Sequence, residues 1–207
     1  MAEGRREELL ELSYAYVQAN GLADLSLRPL AAAGGSSPRV LLFLFGSKDG
    51  LVRALLARAR REELALLAEI RKGSPEARDE SAEIRKDGAE TRDGGADLRE
   101  DGLAAAGEAV WGWLCDDRRR PLLRLWVEAY ARSLIDHDGP WAGYAAATVA
   151  DWLEVLARAQ PAADRDTPEG LARRTAVLAV LRGALLDLLA TGDTERTTAA
   201  VRAAMLR

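Results

Sequence analysis

The sequence predicts an all-α fold: three short N-terminal helices in a helix-turn-helix arrangement, followed by a larger helical bundle. Three observations predict it. Ala, Leu, Arg, Asp and Glu dominate the 207 residues while Ile, Tyr and Phe are scarce, so helix formers prevail over strand formers. Apolar residues recur three and four apart along most of the chain, the spacing of one helix face. Capping residues, Gly and Pro punctuate those stretches where helices start and stop.

The first helix is expected over 5–19, with Leu9, Leu12 and Tyr16 on one row and Leu10, Tyr14 and Val17 on the next. Gly21 ends it as a left-handed cap. Ser26 stands where an N-cap belongs, ahead of Leu27, Pro29, Leu30 and Ala31, and Gly34 with Gly35 closes this second helix. Ser37 and Pro38 restart the chain as N-cap and first helical residue. By periodicity the 40–45 run reads equally well as a buried strand. It is assigned to a helix because it lies between helical signals and has no strand partner nearby. Gly46 breaks it, and Ser47 caps a long helix reaching about residue 70, with Leu51, Val52, Leu55 and Leu56 inward.

From 68 to 102 the chain is written in sevens: AEIRKGS, PEARDES, AEIRKDG, AETRDGG, ADLREDG. Its apolar third position recurs once per heptad, whereas a coiled-coil seam needs two. Five glycines there would each weaken a helix by about 1 kcal/mol. The segment reads as a solvated, flexible, tandem-duplicated insert, with an interaction arm as the alternative. Beyond it, helices are expected over 103–116, 122–135, 141–159, 171–190 and 194–207. Pro121 opens the second of these, Thr167 and Pro168 the fourth, and Asp193 the last. Residues 136–140 and 161–166 are breaks.

Net charge is −4, but residues 1–62 carry +2, leaving −6 for the remainder, which favours a nucleic-acid-facing head on an acidic body. The one cysteine, Cys115, cannot form an internal disulfide, and a reducing, cytoplasmic home is expected. A single histidine, His137, removes most His-dependent catalysis and any multi-His metal site. There is no Gly-rich phosphate loop, nucleophile elbow or Cys/His cluster, so no enzyme, cofactor or metal is expected. Apolar runs fall far short of the roughly 20 residues a spanning helix needs, and residues 1–6 do not begin a secretory leader. No membrane partner is expected.

Gly21, Ser26, Leu27, Arg28, Leu30, Ala31, Gly35, Ser37, Leu41, then Phe45, Gly46, Ser47, Lys48 and Leu51 fall on one family's pattern without a gap. On these residues the chain resembles the TetR family of bacterial transcription regulators. The match is firm over 5–60 and looser over the body, where Leu181, Arg182, Gly183 and the stretch 185–193 resemble that family's penultimate helix. The resemblance implies a helix-turn-helix DNA-binding domain over 1–47, a linking helix over 48–70, the insert over 71–102, and a helical effector-binding and dimerisation domain over 103–207. It implies a homodimer on double-stranded DNA, with the 37–44 segment in the major groove and Lys48 on a phosphate. The candidate contacts are Ser26, Arg28, Ser37, Pro38, Arg39, Val40, Leu42, Leu44 and Lys48. Helix N-termini and Arg side chains suit phosphate and guanine. Leu25, Leu42 and Leu44 stand where the family usually has Thr, Tyr and His. The aliphatic row either touches thymine methyls or serves a protein partner, the second giving a dimeric interaction or ligand-sensing module with weakened DNA binding.

In the body, Leu178, Leu181, Leu185 and Leu188 form one apolar row beside Gly183 and Ala184. The row is either an ordinary core face or, by the resemblance, the dimer interface. All five tryptophans lie within 111–152. They either fill the core or line a site for a small apolar effector, with Trp113, Trp126, Tyr130 and Trp152 as its candidate wall; Glu128 and His137 are either surface groups or orient its polar end.

Overall fold

The computed structural model describes residues 2–22, 25–73 and 97–206, and among them every regular element is helical. These are α1 (Ala2–Asn20), α2 (Leu27–Ala33), α3 (Pro38–Phe45), α4 (Lys48–Gly73), α5 (Asp97–Leu114), a 3-10 turn (Asp117–Arg119), α6 (Arg120–Ile135), α7 (Tyr144–Arg158), the single turn α8 (Ala162–Arg165), α9 (Pro168–Thr191) and α10 (Thr194–Met205). The ambiguous 40–45 run is therefore helix. α4 continues to Gly73, and α5 begins at Asp97, six residues ahead of the expected start. Residues 74–96, which carry the second to fourth heptads, lie outside the described residues.

Two compact units make up the chain: Met1–Glu63 with Arg118–Thr148, and Leu64–Asp117 with Val149–Arg207. In the first unit α1, α2 and α3 pack on one another, and α6 packs on α1. Leu9, Leu10, Ser13, Tyr14 and Val17 make the buried arc of α1. Leu12 falls outside that arc and is exposed, which corrects the two-row stripe expected for this helix. Leu30 and Ala31 from α2, Leu41 and Phe45 from α3, and Leu51, Val52, Leu55 and Leu56 from α4 join it in the core, the last four as expected. Arg58 straps α4 to α1. Its Nε donates to Glu11 at 2.6 Å, its Nη1 to Glu62 at 3.0 Å, and its guanidinium stacks 4.6 Å from the Tyr14 ring centroid. The Glu11 bond raises the Arg58 pKa, while burial, helped by Glu62, pushes the Tyr14 hydroxyl well above its ordinary range.

In the second unit α5, α9 and α10 pack pairwise around Val110, Trp111, Leu178, Leu181, Leu188 and Val201. Trp111 is a core residue whose indole N–H donates to Thr198 Oγ1 at 2.9 Å. The expected caps are present: Thr167 Oγ1 accepts from Gly170 N at 2.9 Å, and Asp193 Oδ1 from Arg196 N at 3.0 Å. Arg196 also grips Asp187 with two bonds of 2.7 Å, tying α10 to α9. Two expectations are corrected. α7 starts at Tyr144 rather than 141, because Gly143 takes φ +76° and makes 141–143 a turn. The 161–166 break holds α8, fastened to α9 by Gln160 Nε2 donating to Gly170 O (2.9 Å) and Arg174 Nη1 donating to Arg165 O (2.6 Å).

Candidate nucleic-acid interface and aromatic residues

α3 is built to present one face. Ser37 is extended at φ −123°, its Oγ accepts the Val40 N–H at 3.4 Å, and Pro38 fills the first turn where no N–H is needed. Leu41 and Phe45 point into the core and fix the helix rotation. At about 3.6 residues per turn, the position opposite them is 43. Phe43 is 83% exposed, with Val40 at 38% and Leu42 at 40% beside it and the exposed Arg39 one turn back. Pro38 and Leu44 are half-buried, and Ser26, Arg28, Ser37 and Lys48 are exposed. The aliphatic substitution at Leu25 is turned inward and buried, so that position offers nothing to a partner. Ser26 occupies the N-cap position of α2, yet its hydroxyl makes no capping bond, contrary to expectation. Phe43 is not among the contacts expected from the sequence. Setting positions 41 and 45 inward on a helical period is the signal that singles it out.

The block at 45–48 explains how α3 is held to α4. Gly46 takes φ +77°, a conformation that side chains rarely adopt, and Ser47 Oγ accepts from Gly50 N at 2.9 Å to cap α4. Gly50 has a separate reason to be glycine: a Cβ there would collide with the Phe45 carbonyl. Lys48 and Asp49 thus open α4 directly beside the end of α3. The guanidinium of Arg6 lies 4.9 Å from the Phe45 ring centroid.

The four aromatic candidates divide between the units. Trp126 and Tyr130 are one turn apart on α6 in the first; Trp113 on α5 and Trp152 on α7 belong to the second. Trp126 and Trp152 are buried, whereas Trp113 and Tyr130 are half-buried. Glu128 lies between Trp126 and Tyr130 in sequence, and its Oε2 accepts the Leu22 N–H at 2.8 Å, just past the end of α1. It is a structural acceptor for the loop entering α2. His137 is exposed in the turn after α6. Burial also raises the Tyr144 hydroxyl pKa, with the Glu63 carboxylate adding to the shift.

Of the two readings of the leucine row, the structure favours the core face. Leu178, Leu181 and Leu188 are 4%, 1% and 1% exposed within the single chain, and Leu185 is half-buried. Side chains already spent on their own unit's core have no surface left for a partner. The opposite face of α9 is open: Ala172, Ala176, Ala179, Gly183, Leu186 and Ala190 are all exposed and recur three and four apart, with Leu186 at 54%. A Cβ at Gly183 would meet nothing within 4 Å.

No protein-family model and no curated protein matches the chain. Solved structures do. A transcriptional regulator from Rhodococcus sp. Rha1 is 20% identical over 97% of this chain and 93% of its own, with a TM-score of 0.69. A TetR transcription regulator from Haloarcula marismortui is 15% identical over 98% and 95%, with a TM-score of 0.61. The multidrug binding protein EbrR, solved with imidazole, is 23% identical over 97% and 89%, with a TM-score of 0.60. The likeness runs through the whole chain, and what it establishes is the fold.

Proposed function

With the fold of TetR-family regulators as premise, we propose that the chain is a ligand-responsive transcription regulator that binds operator DNA as a homodimer, in its simplest mode as a repressor. The observation that carries this reading is the outward face of α3, where Arg39, Val40, Leu42 and Phe43 stand exposed, with Ser37 at the helix N-terminus and Lys48 just beyond its end. Arg28, Arg39 and Lys48 supply the positive charge that phosphates require, and the N-termini of α3 and α4 add oriented N–H groups. Titration against DNA from the gene's own upstream region tests it. Saturable binding that weakens with salt is expected, with Gln at any one of these three cations lowering the salt slope by about 1. Binding that never saturates would remove the reading.

The dimer is assigned to the exposed Ala172–Ala190 face of α9, where small side chains let a second helix approach closely. A two-fold pair would set its recognition helices roughly 34–36 Å apart, one turn of DNA. Effector sensing is assigned to the aromatic residues: Trp126 and Tyr130 in the first unit, Trp113 and Trp152 in the second. EbrR supports an apolar or aromatic ligand class, being a multidrug binding protein solved with imidazole and with proflavin. Because Glu128 shares a helical turn with Trp126 and Tyr130 and holds Leu22, displacement of α6 would act on the segment that leads into α2. Quenching of tryptophan emission by a panel of apolar compounds tests this; a flat response to every class would overturn it.

A second reading has its own support. Phe43, Leu42 and Val40 form an apolar surface on a helix end, which would suit a protein partner. The same salt titration separates the two.

A further inference from the structure

We infer that the recognition helix reads its site through the C5-methyl groups of thymine, with Phe43 as the principal reader, Val40 as its neighbour, and Arg39 as the adjoining polar contact. The inference rests on the DNA-binding reading and deepens it by naming what in the duplex is recognised.

The argument starts from helix rotation. Leu41 and Phe45 are locked in the core, so α3 has no freedom to turn a different face outward. The residue left at the apex of the outer face is Phe43, with Val40 three positions and Arg39 four positions before it. On a helix those separations place all three side chains on neighbouring rows of one surface. A helix docked by this face brings an aromatic ring and a branched aliphatic group to the floor of the groove. Neither can accept or donate a hydrogen bond to a base edge. The thymine methyl is the one apolar group that the four bases display in the major groove, and Phe is among the side chains that suit it.

Charge decides between a duplex and a protein surface for this face. Exposed Arg28, Arg39 and Lys48 surround the apolar apex in sequence, and the exposed Arg53 follows one turn and a half into α4. Asp49 is the only exposed acid within 28–53. An apolar apex on a stretch whose exposed charges are four cations and one acid suits a groove floor edged by phosphates. Specificity of this kind rests on shape and methyl position rather than on bidentate hydrogen bonds, apart from a guanine within reach of Arg39.

The experiment selects binding sites from random duplexes with the full-length chain, then replaces each thymine of the selected half-site by deoxyuridine, which deletes the methyl alone. At one or two positions the affinity should fall about fourfold per methyl lost, the ratio that follows from the free energy of burying one carbon. Phe43→Ala should bind thymine and uracil versions of the key position equally. Because Phe43 is 83% exposed, the variant should keep its helical circular dichroism and melting temperature, which are measured alongside. A selected site at which uracil binds as well as thymine everywhere would overturn methyl reading while leaving DNA binding intact. Failure to select any sequence would instead overturn the underlying DNA-binding reading, and the methyl inference with it.

Discussion

α3 and α9 both leave an apolar row in solvent, and the two rows are made of different sizes of side chain. On α3 the exposed positions are bulky: Phe43, Leu42 and Val40, with Arg39 alongside. On α9 they are small: Ala172, Ala176, Ala179, Gly183 and Ala190, with Leu186 as the one large member. A protruding narrow ridge suits a concave partner such as a groove, whereas a flattened surface lets another helix axis come near. Hydrophobicity alone would have ranked the two rows together. Side-chain volume separates them.

The largest way to test that contrast compares inward with outward residues of the same helix. Leu41→Ala on α3 and Leu188→Ala on α9 should each cost about 2–5 kcal/mol in denaturant unfolding, because both side chains are fully buried. Next in size, Leu186→Arg should weaken the proposed dimer by about 2 kcal/mol or more, read as a shift to the monomer mass in light scattering, with helicity unchanged. A variant that stays dimeric would put the interface elsewhere. In the α3-bearing unit, Glu128→Ala strips the acceptor from the buried Leu22 N–H and should cost about 1–3 kcal/mol of stability. Phe43→Ala, by contrast, should leave stability within about 0.5 kcal/mol, since the side chain touches little of its own unit.

The smallest effect is a pH dependence on α9. Arg196 holds the exposed Asp187 carboxyl below its ordinary range through hydrogen bonds and charge. A depressed carboxylate stabilises the fold above the unfolded pKa and loses that contribution as pH falls through the folded value. The melting temperature of Asp187→Asn should therefore lie slightly below that of the native chain near neutrality and meet it in acid. A difference that persists at low pH would mean that packing, and not charge, joins α10 to α9 here.

Helix boundaries are legible in the sequence because their signals are local. Ser37, Pro38, Gly46, Ser47, Thr167 and Asp193 each act within four residues of themselves, so their positions alone announce where helices begin and end. The α9 faces are not legible in the same way. Leu178, Leu181 and Leu188 form an apolar row, and so do Ala172 to Ala190 on the other side; which one the chain buries in its own core depends on how the other helices pack. Size favours the leucines for that core. Glu128 reads in sequence as a surface group or one that orients an effector, because nothing there announces an acceptor for a backbone N–H 106 positions away. Phe43 escapes a sequence reading for a different reason. Departures from the family's pattern point to 42 and 44, whereas the rotation of the helix is what puts 43 at the apex.

Gly50 has a mechanical consequence. With no side chain between them, α4 rests on the last carbonyl of α3, and the Ser47 hydroxyl closes the corner. The corner leaves no room for a side chain at position 50. A tilt of α4 at this corner would press directly on the end of α3, and so on the helix that carries Phe43.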